Sequence, residues 1–171
     1  MKLFTAILSI CLLSCSSSKQ LDTVQEVDLQ KYQGKWYEIA RIPNTFEKGL
    51  TCVTANYTIE ENGKITVLNE GRKLENPTKI SSSEGSAWVP DINDPGKIKV
   101  SFFWPFAGDY QIIALDENYK YALVGSPSLD YLWILSRTKT LDKTVLENLQ
   151  STATKQGFQI DRLEFIDQGC N

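Results

Sequence analysis

The regular alternation of apolar and polar side chains constrains the fold of this chain more than any other feature. Every second residue is apolar over residues 52–59, beginning with Val53 and ending with Ile59. The same alternation recurs over residues 97–104, beginning with Ile98 and ending with Trp104. This period of two is that of a β-strand with one buried face. Asn62-Gly63 follows the first segment and is a strong signal for a type I′ hairpin turn. The pattern therefore predicts antiparallel hairpins.

Further short apolar segments predict that the hairpins continue along the chain. Ile65 and Val67 extend the first set, and three more strands are predicted over residues 110–115, 119–124 and 131–137, with turn residues between them. No long crossover segment intervenes. The simplest closure is an all-β, eight-stranded antiparallel up-and-down barrel, and a barrel of this size has room for one small ligand.

One α-helix is predicted after the strands. Its apolar residues recur every four positions, with Thr140 as the N-cap and Gly157 as the stop; they are Leu141, Val145, Leu149 and Ala153. We expect this helix to pack outside the barrel, against Leu132 and Ile134. A final strand over residues 158–165 is predicted to lead to the C terminus.

Composition excludes several classes of function. The chain has 171 residues, which fits one domain, and it contains no histidine. The lack of histidine excludes Ser-His-Asp and Cys-His catalysis, zinc held by histidine and haem held by a proximal histidine. The net charge is -3 and the lysines are scattered, so nucleic acid is not expected as a partner. The sequence predicts neither a cofactor nor a metal site.

The N-terminal residues are predicted to direct export. Lys2 precedes an apolar run over residues 3–13 that is too short to span a bilayer. Leu12-Leu13-Ser14-Cys15 resembles a bacterial lipobox, in which the chain is cut before the cysteine and the cysteine carries the lipid. The alternative is an ordinary secretory signal with a chance cysteine. Ser16, rather than aspartate, follows Cys15, and this favours sorting to the outer membrane.

These features divide the chain into three parts. Residues 1–14 are predicted to be a lipoprotein signal peptide, residues 15–26 a lipidated N terminus and tether, and residues 27–171 the barrel domain. Cys11 leaves with the signal and Cys15 takes the lipid, so Cys52 and Cys170 remain as the only pair for a disulfide in an oxidising compartment.

Gly34 and Trp36 are predicted to close one end of the barrel. The glycine lets the first strand begin where another backbone comes close, and the indole fills the end of the core. Arg137 could cover the indole face, a contact that contributes roughly 0.5 to 2 kcal/mol. The alternative is a buried tryptophan with an unrelated surface arginine.

With these motifs, the chain resembles the lipocalins, and among them the bacterial lipoproteins of the apolipoprotein D-like group. The most specific segments are residues 34–41, 100–103 and 130–137. The family's three conserved regions match, in this sequence, Gly34 and Trp36, then Gly108, Asp109 and Tyr110, then Arg137. Ala107 departs from the aromatic residue that many bacterial relatives have there. The resemblance implies carriage of a small apolar molecule, such as a fatty acid or lysophospholipid, by a protein that is not an enzyme.

The candidate ligand-binding residues are those on the inward register of their strands: Tyr57, Asn69, Phe102, Tyr110 and Trp133. Buried polar groups are costly unless they are hydrogen-bonded, so they suit a partly wet cavity. The alternative is a barrel filled by its own side chains. Glu38 could face the cavity or the rim, and the loop over residues 42–49 is expected to cover part of the mouth.

Three functions therefore stay open at this point. The first is a membrane-anchored carrier of a fatty acid or lysophospholipid, the second a structural or envelope-assembly lipoprotein without a ligand, and the third an enzyme that acts on a bound lipid. The oligomeric state, monomer or homodimer, also stays open.

Overall fold

A computed structural model describes residues 20–170 of the protein. The predicted signal peptide, the lipidation site Cys15 and most of the predicted tether lie outside the described residues, as does Asn171. The eight strands of the barrel are β1 (Gly34–Arg41), β2 (Leu50–Ile59), β3 (Ile65–Lys73), β4 (Asn76–Trp88), β5 (Lys97–Phe103), β6 (Phe106–Leu115), β7 (Tyr121–Gly125) and β8 (Leu132–Ser136).

The strands form a closed antiparallel barrel in which each strand pairs with the next in sequence. β8 then pairs with β1, with Ala40 opposite Ile134 and Arg41 opposite Trp133. The predicted fold, an all-β eight-stranded up-and-down barrel with a C-terminal helix, is confirmed. A short helix α1 (Leu29–Tyr32) precedes β1, and the two-residue strand β9 (Glu164–Phe165) adds to the outer edge of β1.

Helix α2 (Lys143–Lys155) packs on the outside of the barrel, as predicted. Its buried residues Leu149 and Ala153 share one apolar cluster with Leu132 and Ile134 of β8. Burial of a leucine side chain contributes about 1.5 to 3 kcal/mol, so this contact holds the helix in place. Among residues 20–170, no helix is long and apolar enough to cross a membrane.

The ends of α2 differ in how well the sequence predicted them. The N-cap is Asp142, whose carboxylate accepts from the backbone N–H of Thr144 at 2.8 Å; the prediction of Thr140 was wrong. Both residue types cap helices well, and the chain uses the one nearer to the first helical turn. Gly157 ends the helix as predicted, with φ of +95°.

Two other strand predictions were wrong in part. Trp104 does not continue the inward face of β5, because the chain turns there and leaves the indole 85% exposed. The predicted final strand over residues 158–165 contains instead a 3₁₀ turn (Ile160–Arg162) and the short β9.

The end of the barrel below Trp36 is closed. The guanidinium carbon of Arg137 lies 3.8 Å from the centroid of the Trp36 ring. The Arg137 Nη atoms donate to the backbone carbonyl oxygens of residues 31, 32, 33 and 35 at 2.8 to 3.0 Å, and Nε donates to that of Tyr119 at 3.2 Å. Gly34 has φ of +90°, which glycine adopts without strain. Arg137 therefore joins α1, β1 and the β6–β7 turn.

The C-terminal segment is fixed to β2 by the predicted disulfide between Cys52 and Cys170. The Gln168 side-chain amide adds hydrogen bonds to the backbone oxygens of Glu38 and Val53, at 2.7 and 2.9 Å. The disulfide closes a loop with a sequence separation of 118 residues. In the chain-entropy model, such a loop contributes about 4 to 5 kcal/mol to stability.

Candidate ligand-binding cavity

A cavity of about 540 Å³ occupies the barrel between the closed end and the mouth. This is within the usual size range of small-molecule sites, roughly 300 to 1,000 Å³. All five ligand-binding residues predicted from the sequence contribute to its lining: Tyr57, Asn69, Phe102, Tyr110 and Trp133. The barrel is therefore not filled by its own side chains.

The floor of the cavity is made by a hydrogen-bonded group of tyrosines. The Tyr57 hydroxyl donates to the Tyr110 hydroxyl at 2.9 Å, and the hydroxyls of Tyr110 and Tyr32 lie 2.7 Å apart. Burial raises the pKa of all three hydroxyls above the usual range for tyrosine, so they stay protonated. Below them, the Trp36 indole N–H donates to the Tyr32 carbonyl oxygen at 2.8 Å, which connects the floor to the closed end.

The middle of the cavity wall is apolar. It consists of inward side chains from four strands, which are Val53, Val67, Val100, Phe102 and Leu135. Gly85 of β4 allows the Phe102 ring to lie close, because a Cβ atom there would come within 2.8 Å of the ring. A wall of this kind can bury an acyl chain but gives it little directional recognition.

A buried, hydrogen-bonded pair of side chains lies beside the apolar wall. Glu38, 3% exposed, accepts from Arg41, 1% exposed, with Oε1 2.8 Å from Nη1. Arg41 Nη2 also donates to the carbonyl oxygens of Glu47 and Leu50, at 3.1 and 3.2 Å, and lies 3.4 Å from Glu164 Oε2. Glu38 therefore lies inside the barrel, which the sequence had left open.

Glu47 completes this group from the loop between β1 and β2. Its Oε2 accepts from the Trp133 indole N–H at 3.1 Å and from the Asn44 side-chain amide, while Asn44 Oδ1 accepts from the Glu47 N–H. The carboxyl groups of Glu38 and Glu47 are also hydrogen-bonded to each other. We call Glu38 and Glu47 the acid pair. Both side chains line the cavity.

The surroundings of Glu38 favour its protonated form. Burial, and next the charge of Glu47, raise the pKa of Glu38 well above its ordinary value, although Arg41 acts in the opposite direction. Two carboxylates in contact cannot both ionise readily. A protonated Glu38 carboxyl group can donate a hydrogen bond to Glu47.

Sequence reasoning missed Arg41, Glu47 and Tyr32. Strict alternation along β1 would place Arg41 on the face opposite Glu38, but a bulge between Glu38 and Ala40 shifts the register against β8. The bulge accounts for the contact between the two side chains. Glu47 lies in a loop and Tyr32 in a four-residue helix, and neither segment is long enough to show a periodicity.

Aromatic side chains surround the mouth. The loop over residues 42–49 connects β1 and β2 there and places Phe46 over the opening, as expected. The rings of Phe46, Tyr131 and Trp133 lie together, with Tyr131 stacked on Trp133 at a centroid distance of 5.9 Å. Ala107 lines the cavity on β6 and is exposed at its mouth. Across the mouth, the β5–β6 turn exposes Phe103, Trp104 and Phe106.

Comparison with known proteins agrees with this architecture. The family model described as a lipocalin-like domain matches residues 27–168. The outer membrane lipoprotein Blc of Vibrio cholerae is 39% identical, over 97% of this chain and 98% of the relative. Apolipoprotein D of Macaca fascicularis is 40% identical, over 85% of this chain and 79% of the relative.

A solved structure shows the same fold. Insecticyanin from the tobacco hornworm Manduca sexta superposes with a TM-score of 0.71 at 23% identity, covering 88% of this chain and 86% of that one. The barrel with its outer helix, the Trp36–Arg137 contact at the closed end and the family match over residues 27–168 lead to one conclusion. The chain belongs to the lipocalin family.

Proposed function

We propose that this protein is a lipid-anchored outer-membrane lipocalin that binds a small apolar ligand, a fatty acid or a lysophospholipid, and stores or transports it. The observation that carries the proposal is the apolar cavity of about 540 Å³ with a mouth at one end. Burial of about eight methylene groups at ~0.8 kcal/mol each contributes roughly 6 kcal/mol before the cost of ordering the ligand.

The proposed location rests on the N-terminal sequence and on the relatives. Cys15 follows Leu12-Leu13-Ser14 as the lipid-carrying cysteine of a lipobox does. Relatives at about 40% identity are named outer membrane lipoprotein Blc, from Vibrio cholerae and from Escherichia coli. The anchor would hold the barrel beside the bilayer from which an apolar ligand comes.

Binding is a better proposal than catalysis. The chain has no histidine, and the two cysteines among the described residues form a disulfide. The carboxyl groups of the acid pair are held by hydrogen bonds from Arg41, Trp133 and Asn44. Extraction of the purified protein with organic solvent and mass spectrometry separates the functions. Co-purified lipid supports a carrier, turnover of an added lipid supports an enzyme, and an empty barrel supports an assembly lipoprotein.

A titration of tryptophan fluorescence tests the cavity as the binding site. Fatty acid or lysophospholipid should change the emission with saturation, because Trp133 lines the cavity. Trp133→Ala should remove much of the signal and weaken binding, measured by calorimetry, by about 1 to 3 kcal/mol. Trp104→Ala is the matched control, since the Trp104 indole is 85% exposed outside the cavity. Unchanged affinity in Trp133→Ala would contradict the proposal. Sedimentation of the same protein distinguishes a monomer from a homodimer.

A further inference from the structure

The charged side chains that line the cavity have one sign. Among the described residues of the lining, Glu38, Glu47 and Asp109 are acidic, and none is lysine or arginine. Asp109 is neutralised by Lys99, whose Nζ lies 2.7 Å from Oδ1. Among the described residues, the basic side chain that contacts the acid pair is that of Arg41. It lies behind Glu38 and is not part of the lining. The polar character of the cavity is therefore set by the acid pair.

The charge of Arg41 does not balance its acidic neighbours. The Arg41 guanidinium lies 2.8 Å from Glu38 Oε1 and 3.4 Å from Glu164 Oε2, and Glu47 is hydrogen-bonded to Glu38. With the proton on Glu38, the negative charges of Glu47 and Glu164 exceed the single positive charge of Arg41 by one. Half of the Glu164 side chain is near solvent, at 45% exposure, whereas Glu47 is 6% exposed. The buried part of the excess charge lies on the cavity side.

Glu47 also keeps hydrogen-bonding capacity for a ligand. An ionised carboxylate offers about four lone-pair sites. The Trp133 indole N–H, the Asn44 amide and the Glu38 proton occupy three of them. One site on a buried, charged acceptor is left.

A second acceptor points to the same ligand chemistry. Asn69 Oδ1, on the β3 wall of the cavity, is inaccessible to solvent and has no hydrogen-bond partner among the described residues. A buried oxygen without a partner costs about 1 to 3 kcal/mol, which a ligand donor can offset when the Asn69 amide turns toward the cavity. The tyrosine hydroxyls at the floor, in contrast, bond to one another.

We propose that Glu47, held by Glu38 and Trp133, forms a subsite for the polar end of the ligand and that this subsite prefers an ammonium group to a hydroxyl group and a hydroxyl group to a carboxylate. The inference rests on the proposed function and narrows it, because an apolar chain with a hydrogen-bond donor at its end is favoured over a free fatty acid. An ammonium group would form a charge-assisted bond with Glu47, while a carboxylate would be repelled in a buried, weakly screened site.

The test compares ligands with the same apolar chain. Dodecylamine, dodecanol and dodecanoate are titrated into the protein by calorimetry at neutral pH, each below its micelle concentration. We expect the amine to bind about tenfold or more tightly than the carboxylate, with the alcohol between them. In Glu47→Gln the amine should lose most of this advantage, while the affinity for the alcohol stays within about twofold. Glu84→Gln is the matched control and should keep the order, because Glu84 is exposed on β4 and does not line the cavity.

The outcomes separate the two proposals. Saturable binding of all three compounds with the carboxylate first, or with an order unchanged in Glu47→Gln, overturns the subsite and leaves the carrier function standing. No saturable binding of any compound overturns both. If Glu47→Gln does not fold, dodecyltrimethylammonium replaces the variant: it keeps the charge but has no N–H donor. In the wild-type protein it should bind less tightly than dodecylamine and more tightly than dodecanoate, and any other position in the order overturns the subsite.

Discussion

At the scale of single residues, Arg137 connects three segments at the closed end of the barrel: α1, β1 and the β6–β7 turn. Its guanidinium covers the Trp36 indole and donates to five backbone carbonyl oxygens, from α1 to the β6–β7 turn. A lysine could not reproduce this planar arrangement of donors. The contacts lie at the closed end, away from the mouth, and this placement predicts a structural role.

Arg137→Ala is therefore expected to lower the free energy of unfolding by about 1 to 3 kcal/mol without a change in ligand preference. Urea denaturation measures the first effect and calorimetry with two ligands the second. Lys139→Ala is a suitable control, since Lys139 follows the same strand and makes only an exposed bond to the Cys170 carbonyl oxygen. A stable Arg137→Ala variant with altered ligand preference would show that the closed end has been misassigned.

Glu38 gives a prediction on pH dependence. Its pKa is raised in the folded protein above the ordinary value of 4.5, so the folded state binds more protons than the unfolded state above that pH. The Glu38 contribution to stability is present at low pH and is lost as the pH rises. Glu38→Gln removes this dependence and can keep both hydrogen bonds, to Arg41 and to Glu47.

As the pH rises above 4.5, we expect the free energy of unfolding of Glu38→Gln to fall less steeply than that of the wild-type protein, measured by urea denaturation. Glu164→Gln, which changes the half-exposed partner of Arg41, should leave the slope close to that of the wild type. Equal slopes for Glu38→Gln and wild type would mean that Glu38 is ionised in the folded protein.

At the scale of the elements, strands with a regular alternation of apolar and polar residues could be predicted from the sequence. A strand that forms through backbone pairing, without such an alternation, could not. β2 and β5 show a clear period of two, and the structure has both. β4 was not predicted, because its centre is polar and mostly exposed, with Ser81, Ser82 and Ser83 in a row. β4 exists because its backbone pairs with β3 from Ile65 opposite Ala87 onwards.

The cavity residues likewise fall into a group that could be predicted from the sequence and a group that could not. Its aromatic and asparagine lining could be predicted, since those residues follow the register of regular strands. The acid pair could not be predicted as a unit, because it depends on the bulge in β1 and on a loop whose geometry leaves no pattern in the sequence.

The prediction at the scale of the elements concerns the disulfide that joins the C-terminal segment to β2. Replacement of both Cys52 and Cys170 by alanine is expected to lower the free energy of unfolding by about 2 to 5 kcal/mol, because the unfolded chain gains freedom. Urea denaturation with and without reductant measures the effect. The reductant should destabilise the wild-type protein and leave the variant unchanged. Two free thiols in the denatured, unreduced mature protein would contradict the presence of the disulfide.

At the scale of the whole molecule, attachment and folding are separate properties. The barrel has its own core, and the predicted lipidation site Cys15 precedes the family match, which begins at residue 27. Cys15→Ser should therefore block lipid attachment and signal cleavage while the barrel still folds. Membrane fractionation and the mass of the product measure the two effects. Normal cleavage together with normal membrane association in Cys15→Ser would show that the N-terminal signal has been misread.

The closure of β8 onto β1 has a consequence for how the protein is made. β1 is exported before β8, but the two strands pair with each other, with Arg41 opposite Trp133. The barrel therefore cannot close until β8 has been exported. Until that moment the nascent chain is a curved sheet with two unpaired edges and an uncovered apolar face, the state in which β proteins associate with one another. Such distant pairing is slow compared with hairpin formation. We therefore expect newly exported molecules to depend on holding chaperones until the last barrel strand has emerged.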